Sequence, residues 1–543
     1  MPPLVVSNEP VAPLSSVRSP RIWQTMLDVD LPGKMIKSQI QLNHNLTEEE
    51  KPLLDDRILK MYAAVTRQFG KLHGESTKCF LVRAPESLDL VGIHILPFGG
   101  ATNSIACYET VFCVSPRTDS KIVLSHIDSR FAPAEYDLFD GLPKTRVPFW
   151  PEFAEKNRGN RWSDVIHGAL KQYVNSHKGP TGQIELTIPG MNIVVGAVLP
   201  EGLATHSDST LSAAALASVM ALTGEWGKVS LAEFEGRCAE AQEWGSGRRS
   251  NLGAVLFGMP GEVVHVDWSP PRAKGRMLPH SICFVTAHTG TEAPPAELEA
   301  AREMAAGIGQ LLFRQEAVAR LSQEGHATDA LMSAETVYEV LEQVPETLSR
   351  AQALEALKAE TVKSRLQDYF KTHAEPAGGY RVREKLLYLL AEMQRAMRAQ
   401  EAIRAADATE LGALMNIGQV GEATLFHELS PSGIIEKVHR IVHPGNDDEL
   451  ASLTEQAAPL WKQSGFWGSS TPETDLLCDL AQGVPGVLGA RLSEPCRIVA
   501  ICTHAALVPL LERLTSGYYI PRGLPSTLAG QVFACRGIGI VDG

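Results

Sequence analysis

Two short stretches of this chain combine residue types that could contact an anion. The first has Gly202 ahead of Ser207 and Asp208, where the run SDSTLSAAALASVMAL is small and apolar and predicts a buried helix. Backbone N–H groups at a helix N-terminus attract anions, but Ser207 could equally be the cap of that helix. The Asp208 carboxylate would repel a phosphate unless Mg²⁺ lay between them. The second stretch has Arg248 and Arg249, which could neutralise a phosphate or belong to a solvated loop.

The totals of the chain limit the class of protein in which these stretches lie. The sequence has 543 residues, of which 44% are hydrophobic. A chain of this length is too long for one compact core, so we predict at least two domains. The net charge of −13 argues against nonspecific binding to nucleic acids or anionic membranes, because both are polyanions. We therefore expect a soluble protein whose partners are neither nucleic acid nor membrane.

Cysteine usage and the N-terminal sequence indicate a cellular compartment. The nine cysteines are scattered and include no CxxC pair, which disfavours zinc sites and disulfide frameworks and fits a reducing environment. The start, MPPLVVSNEPVAPLSS, lacks the basic residues and apolar stretch of a secretory signal. No apolar run reaches the roughly 18 residues that a membrane helix needs. We predict a cytoplasmic protein.

The elements that must position these candidate functional residues alternate between strands and helices in both halves of the chain. Residues 47–70 have helical spacing with a cap at Thr47, and KCFLVRAP, LDLVGIHIL, TVFCVSP and KIVLSHID have strand character. IELTIPG and MNIVVGAVLP predict a β-hairpin. Residues 296–410 are mostly helical, and residues 473–543 alternate again. This order predicts an α+β protein with two lobes.

Four segments, by their order and spacing, resemble the galactokinase family of the GHMP kinase superfamily. The first, RAPESLDLVGIHILPFGGATN at residues 83–103, is similar to the family signature RAPGRVNLIGEHTDYNGG without a gap. The matching residues are Arg83, Ala84, Pro85, Leu90, Gly92, His94, Gly99 and Gly100. The resemblance covers roughly residues 50–543, almost the whole chain.

The signature also tells where this chain departs from the family. In the family, the arginine of the signature assists phosphoryl transfer, and a glutamate, a histidine and an aspartate hold the sugar hydroxyls. Ser87 stands at the arginine position, Ile93 at the glutamate and Leu96 at the aspartate. Asp89 replaces an asparagine. The sugar-binding positions implied by the resemblance are His94, Asp89, Gly99 and Gly100.

The second segment, LPEGLATHSDSTLSAAALA at residues 199–217, resembles the family's phosphate loop PxGxGLSSSAAL. The matching residues are Pro200, Gly202, Ser207 and Leu211, whereas the second glycine of the loop is Ala204. In such a loop, glycines let the backbone approach the phosphates closely. The resemblance implies a nucleotide site at Gly202, Ser207 and Asp208, with Ser207 and Asp208 as metal ligands.

The third segment, CAEAQEWGSGRRSNLGAVLFGMPGEVVHVDW, resembles the stretch of the family that carries the catalytic aspartate. Counting back from Gly258 and Asp267 places Asn251 at that position. A carboxamide donates and accepts hydrogen bonds but cannot take a proton as a general base. The catalytic positions implied by the resemblance are Asn251, Ser87, Arg248 and Arg249.

The fourth segment is similar to the C-terminal part of the family. Residues 381–416 resemble a helix pair that ends in GxLMN, and the later Gly-Ala-Arg element at 489–491 is intact. The glycine run GGGFGG that follows in the family is replaced here by SEPC. The resemblance implies a two-lobed GHMP kinase fold, with an N-terminal lobe like ribosomal protein S5, a ferredoxin-like C-terminal lobe and a helical insertion.

This fold assigns the chain to consecutive segments. They are an N-terminal arm at 1–45, the N-terminal lobe at 46–295, a helical insertion or start of the second lobe at 296–380, and the C-terminal lobe at 381–543.

Each of these residues also has a purely structural interpretation. The glycines, among them Gly92, Gly99 and Gly202, could serve tight turns. His94 could be a half-buried histidine whose hydrogen bonds are satisfied within the protein. The AAALA run is core packing. The order of the four segments favours the family interpretation over these separate ones.

The replacements at Ser87, Asn251, Asp208 and the glycine run all fall on elements that phosphoryl transfer needs. We therefore predict a galactokinase-like protein with a diverged site that binds a sugar-like ligand, a nucleotide or a partner protein. Galactose 1-phosphorylation is expected to be weak or lost. One alternative is an active kinase that uses ATP and Mg²⁺ on the alcohol group of another small molecule. The other is a non-catalytic interaction protein without cofactors.

Overall fold

A computed structural model of the chain describes residues 17–28, 51–147, 162–198, 207–246, 250–268, 271–323, 333–441 and 447–541. The contacts within it divide the described residues into two compact units, each assembled from separate stretches of sequence. Unit 1 contains the residues up to Asp89, Thr102–Leu278 and those from Val532 onward. Unit 2 contains Leu90–Ala101 and Pro279–Gln531.

The elements up to residue 277 are helices and strands of similar number. The helices are α1 (Pro20–Asp28), α2 (Lys51–His73), α3 (Trp162–Ser176), α4 (Asp208–Thr223), α5 (Leu231–Ser246) and α6 (Gly253–Phe257). The strands are β1 (Phe80–Val91), β2 (Thr102–Pro116), β3 (Lys121–His126), β4 (Ala134–Asp137), β5 (Met191–Ala197), β6 (Glu262–Trp268) and β7 (Pro271–Met277).

Among the elements that follow, the helices contain more of the residues than the strands do. The helices are α7 (Ala296–Gln323), α8 (Ala334–Glu342), α9 (Arg350–Ala356), α10 (Glu360–Tyr369), α11 (Val382–Ala405), α12 (Ala408–Glu422), α13 (Asp447–Glu455), α14 (Pro472–Gln482) and α15 (His504–Leu514). The strands are β8 (Ile282–His288), β9 (Thr347–Leu348), β10 (Tyr380–Arg381), β11 (Leu425–Leu429), β12 (Ile435–Arg440), β13 (Val487–Glu494), β14 (Arg497–Thr503), β15 (Ala529–Val532) and β16 (Gly539–Ile540).

Unit 1 is built on one sheet of eight strands. Its main path runs β16-β1-β2-β5-β3-β4, and β6 pairs with β2 and with β7. Strand β2 is apolar at consecutive positions because both of its faces are covered. Phe112 and Val114 pack into the cluster that includes α3, α4 and α5, whereas Val111 and Cys113 pack against α1 and α2. The sheet is therefore the middle layer of this unit.

Helix α4 confirms the buried helix that small residues predicted. Its residues from Ser209 to Ala221 are buried, which requires side chains that let neighbouring elements approach closely. The helix begins after Ser207, whose hydroxyl accepts a hydrogen bond from the backbone N–H of Thr210, and it ends at Gly224 in the left-handed conformation, with φ of 73°. Its N-terminus is thus fixed in unit 1.

Unit 2 contains a sheet of four strands in the order β13-β14-β8-β15. The pairing of β14 with β8 is antiparallel, with Val285 opposite Ala500. Its core is formed by the inward residues of these strands together with α14 and α15, including Leu477, Leu480 and Leu510. Helices and strands in both units make this an α+β protein, as the sequence predicts.

Three details of the local prediction differ from the structure. The proposed hairpin of IELTIPG with MNIVVGAVLP does not form, because β5 pairs with β2 and β3 and Ile184 makes only an isolated bridge to Lys178. The two runs KCFLVRAP and LDLVGIHIL are one strand, β1, which ends where Gly92 and His94 adopt positive φ. The N-terminal arm, in which the sequence predicted no helix, contains α1.

The division into an arm at 1–45 and segments at 46–295, 296–380 and 381–543 stays a prediction. The two compact units are each assembled from separated stretches of sequence. Thr47, the expected cap of the first long helix, lies outside the described residues. None of the helices in the described part of the chain is long and apolar enough to cross a membrane.

Candidate functional site

Asn251 lies just before α6 and uses both ends of its carboxamide. Its Nδ2 donates to Oδ1 of Asp89 at 2.6 Å. Its Oδ1 accepts from the backbone N–H of Gly253 at 2.8 Å and from the Thr102 hydroxyl at 3.4 Å. Asn251 therefore links the start of α6 to strands β1 and β2 within unit 1.

Asp89 and Ser87 occupy the same face of β1, since they are two residues apart in a strand. The Ser87 hydroxyl donates to the same Asp89 oxygen that Asn251 contacts, at 3.2 Å. The predicted catalytic positions Ser87 and Asn251 thus meet at one carboxylate, together with the predicted sugar-binding position Asp89. We call Ser87, Asp89, Thr102 and Asn251 the Asn251 cluster.

The N-terminus of α4 is already in contact with a carboxylate of the chain. The backbone N–H of Ser207 lies 3.2 Å from each carboxylate oxygen of Glu86. Glu86 is only 2% exposed. A helix N-terminus carries partial positive charge and stabilises an anion. The Glu86 carboxyl group therefore occupies the start of α4, where the resemblance implies a phosphate.

Ser207 is also engaged through its side chain. Its hydroxyl accepts from the N–H of Thr210 at 3.2 Å and lies 2.7 Å from the Thr210 hydroxyl and 3.1 Å from that of Ser209. Asp208 follows as the first residue of α4, where a carboxylate interacts favourably with the helix dipole. Ser207 thus has the geometry of an N-cap, and its role and that of Asp208 at a nucleotide or Mg²⁺ stay predictions.

The described part of the chain has no cluster of three or more His, Cys, Asp or Glu side chains arranged to hold a metal ion. Gly202, Arg248 and Arg249, the other residues predicted for the phosphate site, lie outside the described residues.

The turn after β1 belongs to unit 2 and contains the predicted residues His94, Gly99 and Gly100. Gly99 ends a short 3₁₀ turn in the left-handed conformation, with φ of 79°. A side chain at Gly100 would clash with Ile95, because an added Cβ would lie 2.5 Å from its Cδ1. The two glycines are thus required by the shape of the turn.

His94 lies between two carboxylates of unit 2. Its Nδ1 is 2.8 Å from Oε1 of Glu299, and its Nε2 is 3.3 Å from Oε1 of Glu422. Its ring stacks on Trp467, with ring centroids 4.8 Å apart. Nε2 also lies 3.2 Å from the hydroxyl of Ser469, which donates to Glu422 at 2.6 Å.

These contacts determine the charge of His94. Burial by itself would lower the pKa of this imidazole, but Glu299 and Glu422 outweigh it and raise the pKa to about 10. The same pairing overcomes the burial of the two carboxyl groups and lowers the pKa of each to about 2. His94 is therefore an imidazolium that donates from both ring nitrogens.

A second set of buried charges anchors the backbone beside His94. Oε1 of Glu392 accepts from the N–H of Gly92 at 2.8 Å and of Ile93 at 3.3 Å. The same carboxylate pairs with Arg491 at 2.8 Å and with Arg395 at 2.7 Å. Burial opposes the charge of Glu392, but the two arginines lower its pKa to about 2.

Three cations and three anions thus form one connected group in unit 2, which we call the ionic network; His94 and Glu299 are partly exposed and the other four are buried. Its members are His94, Arg395, Arg491, Glu299, Glu392 and Glu422. Arg491 connects its two halves, because it lies 3.7 Å from Glu422 as well as bonding Glu392. Tyr388 donates a hydrogen bond to Glu422. Arg302 adds a further cation 3.0 Å from Glu299. Each carboxylate of the network thus has a cationic partner, which is the condition under which buried ions are tolerated.

The SEPC sequence that replaces the glycine run forms a tight connection between β13 and β14. Glu494 ends the first strand and pairs with Arg497, which begins the second, at 2.7 Å. The Pro495 carbonyl accepts from the Thr474 hydroxyl at 2.8 Å, and the Cys496 carbonyl accepts from the N–H of Thr289 at 2.9 Å. The backbone groups of this turn are thus used within unit 2.

Several of these residues were not found from the sequence. The signal for Glu86 is an acid at the glycine position of the family signature, in RAPES. The signal for Glu392 and Arg395 is charge within the apolar helical run LLYLLAEMQRAM. Glu299 has no comparable signal, because its helix carries many other charged residues. The signal for Glu422 is an acid that follows the largely apolar run LGALMNIGQVG.

No known family profile and no curated protein sequence matches this chain. Solved structures do. The galactokinase of Lactococcus lactis in complex with galactose has a TM-score of 0.54 and 17% identity, over 88% of this chain and 99% of that one. Mevalonate kinase of Methanococcus jannaschii has a TM-score of 0.42 and 11% identity, over 84% of this chain and 99% of that one. Homoserine kinase of Cytophaga hutchinsonii has a TM-score of 0.41 and 13% identity, over 85% of this chain and 97% of that one.

The likeness to galactokinase confirms the predicted fold, an α+β GHMP kinase fold of the galactokinase type. At this identity the likeness establishes the fold and leaves activity open, since one fold supports different functions.

Proposed function

We propose that this chain, which has the galactokinase-type GHMP kinase fold, binds a sugar-like ligand and a nucleotide at a diverged site and has lost ordinary galactose 1-phosphorylation. The observation that carries the proposal is Asn251, whose carboxamide is held between Asp89 and the start of α6. By likeness to galactokinase, the nucleotide is ATP with Mg²⁺. We place the protein in the cytoplasm.

A carboxamide at position 251 removes the proton acceptor that the resemblance expects there. Phosphoryl transfer depends on positioning, on neutralising charge and on orienting or deprotonating the nucleophile. A general base typically contributes about 10²–10⁴-fold to the rate. The amide nitrogen of Asn251 points to Asp89 as a donor, so this residue cannot accept a proton from a sugar hydroxyl.

The state of His94 supports a loss of galactose recognition. Both ring nitrogens are committed to carboxylates, so a sugar hydroxyl would have to displace a buried ion pair. Ile93 and Leu96, which stand where the resemblance places two acids, cannot hydrogen-bond a hydroxyl through their side chains. The ligand that we propose is therefore a sugar-like molecule with a different arrangement of polar groups.

Galactose binding tests this proposal, with titration calorimetry in the presence and absence of Mg²⁺ and a nonhydrolysable ATP analogue. The Lactococcus lactis galactokinase serves as the positive control. We expect no saturable heat from galactose at concentrations that saturate the control, and binding of at least one other member of a panel of pentoses, hexoses and polyols. Galactose affinity equal to that of the control would refute the diverged site.

Glu86 gives a separate prediction about the nucleotide. Its carboxylate would repel a phosphate at the start of α4, and two like charges about 4 Å apart cost roughly 1 kcal/mol in water and more at lower dielectric. Glu86→Gln keeps an acceptor for Ser207 but removes the charge. We expect this variant to bind Mg²⁺·ATP at least about tenfold more tightly, which is about 1.4 kcal/mol.

The matched control is Glu233→Gln, an exposed residue of α5 in unit 1. Calorimetry of both variants measures the difference. An unchanged or weaker affinity of the Glu86 variant would show that this carboxylate does not exclude phosphate.

A second candidate function is an active ATP-dependent kinase for another alcohol. The observation in its favour is that a carboxylate, Asp89, lies within hydrogen-bonding distance of Asn251.

A further inference from the structure

We infer that Asp89 is the proton acceptor of this site and serves phosphoryl transfer from ATP to an alcohol other than galactose. The inference rests on the proposed function, because it assumes that the site keeps its nucleotide and has lost the usual galactose mechanism. It assigns the acid of the site to β1 instead of the segment before α6.

The donor and the acceptor of each hydrogen bond around Asn251 can be assigned from its neighbours. The indole N–H of Trp268 can only donate, and it donates to the Thr102 hydroxyl at 3.1 Å. That hydroxyl then donates to Oδ1 of Asn251 at 3.4 Å, as does the backbone N–H of Gly253. Because the carboxamide oxygen receives both donors, its NH₂ group must point to Asp89.

Asn251 and Ser87 are both donors to the Asp89 carboxylate and orient it. Asn251 donates to Oδ1 at 2.6 Å, and Ser87 donates to the same oxygen at 3.2 Å. A base that is oriented by neighbouring groups is the arrangement that enzymes use to hold a proton acceptor in one geometry. Asp89 is also partly exposed, unlike Ser87 and Leu88 beside it, so a small molecule can reach it.

The two partners of this hydrogen bond stand at positions where the chain differs from the family that it resembles. In the first resembling segment Asp89 replaces an asparagine, and in the third Asn251 stands at the position of the catalytic aspartate. Each arrangement contains one acid and one amide, which is the combination that makes a charge-assisted hydrogen bond. Two acids would repel each other at this distance, and two amides would lack the charge. The acid and the amide have exchanged places.

The reaction that follows from this geometry balances without a further reagent. The alcohol gives its proton to the Asp89 carboxylate while its oxygen forms a bond to the γ-phosphorus of ATP. The bond from that phosphorus to the β,γ-bridging oxygen breaks, and the electron pair leaves with ADP. The proton then passes from Asp89 to solvent.

The test measures ADP formation from Mg²⁺·ATP with water, pentoses, hexoses, polyols and small hydroxy acids as acceptors. The full chain is compared with Asp89→Asn, Asp89→Glu and, as a control on an exposed residue of unit 2, Asp368→Asn. We expect Asp89→Asn to lower kcat for the best acceptor by about 10²–10⁴-fold, with KM for ATP changed by less than about threefold. Asp89→Glu should retain part of the activity.

A pH profile separates catalysis from folding. The rise of kcat/KM on the acid side should be present in the unaltered chain and in Asp368→Asn, and absent in Asp89→Asn. An asparagine at 89 can still accept from Asn251 and Ser87, so its thermal unfolding should stay close to that of the unaltered chain.

Two results would overturn the inference. One is a kcat of Asp89→Asn equal to that of the unaltered chain. The other is no ADP formation above the buffer background with any acceptor, water included. Neither would touch the proposed loss of galactose phosphorylation. Efficient turnover of galactose would instead contradict the proposed function, whatever the Asp89 variants do.

Discussion

Replacing Arg491 with alanine is expected to lower the free energy of unfolding by about 3–5 kcal/mol. Arg491 is fully buried and joins Glu392 to Glu422 in the ionic network. Its removal would leave both carboxylates buried with less positive charge, and the cost of an uncompensated buried charge is large. The loss is measured by urea denaturation followed by circular dichroism.

The control for this prediction is an exposed ion pair. Lys371 and Asp368 lie 2.7 Å apart, but both side chains are more than 70% exposed, so Lys371→Ala should cost about 0–1 kcal/mol. If Arg491→Ala yields no folded protein, Glu392→Gln tests the same network with a smaller change. A loss below about 1 kcal/mol for either network variant would mean that the network does not stabilise unit 2.

The second large effect concerns alkaline pH. Because the pKa of His94 is raised from 6.5 to about 10 in the folded chain, its ionic contribution is fully present below about pH 6.5 and is lost as pH rises through 10. Over that interval the chain should lose about 1.4 kcal/mol per pH unit more than a His94→Gln variant. Unfolding at a series of pH values measures the difference.

The acid side has the opposite sign. Glu299, Glu392 and Glu422 have their pKa lowered to about 2, so their contribution to stability is present above about pH 4.5 and is lost as pH falls toward 2.

The control for the His94→Gln variant at alkaline pH is His439→Gln, because His439 is an exposed histidine that lies 3.3 Å from Glu428. Parallel stability curves for the unaltered chain and His94→Gln above pH 7 would contradict the charged state of His94.

The fold was predictable because it depends on features that leave a trace in the sequence. Small residues from Ser207 to Leu222 require a helix with close neighbours, and apolar runs such as TVFCVSP require a strand covered on both faces. The β5 hairpin was wrong because neighbouring apolar segments say nothing of which strands they pair with. Here β5 lies between β2 and β3, and pairing is a tertiary property.

The candidate site was predictable only where a residue type itself limits the chemistry. The identity of Asn251 already excludes a general base at position 251. Asn251 and Ser87 both contact Asp89, which brings three predicted positions together. Glu86 was missed because an acid at a glycine position looks like a surface substitution until its contact with Ser207 is known. Its 2% exposure could not be read from the sequence.

His94 illustrates why the rest needed coordinates. The resemblance implies a sugar ligand, whereas the structural alternative was a satisfied histidine. Its partners, Glu299 and Glu422, are more than 200 residues away along the chain, so no local pattern reveals them. Long-range ion pairs of this kind depend on how helices pack, and helix packing is set by the whole fold.

Phosphate transfer to galactose is the most direct test of our proposal that this galactokinase-type fold has a diverged chemistry. The full chain is incubated with a large molar excess of galactose and Mg²⁺·ATP, and galactose 1-phosphate is followed by ³¹P NMR beside the Lactococcus lactis enzyme. We predict no galactose 1-phosphate above the buffer background over hours. Accumulation of many equivalents per chain, at a rate near that of the control enzyme, would contradict the account.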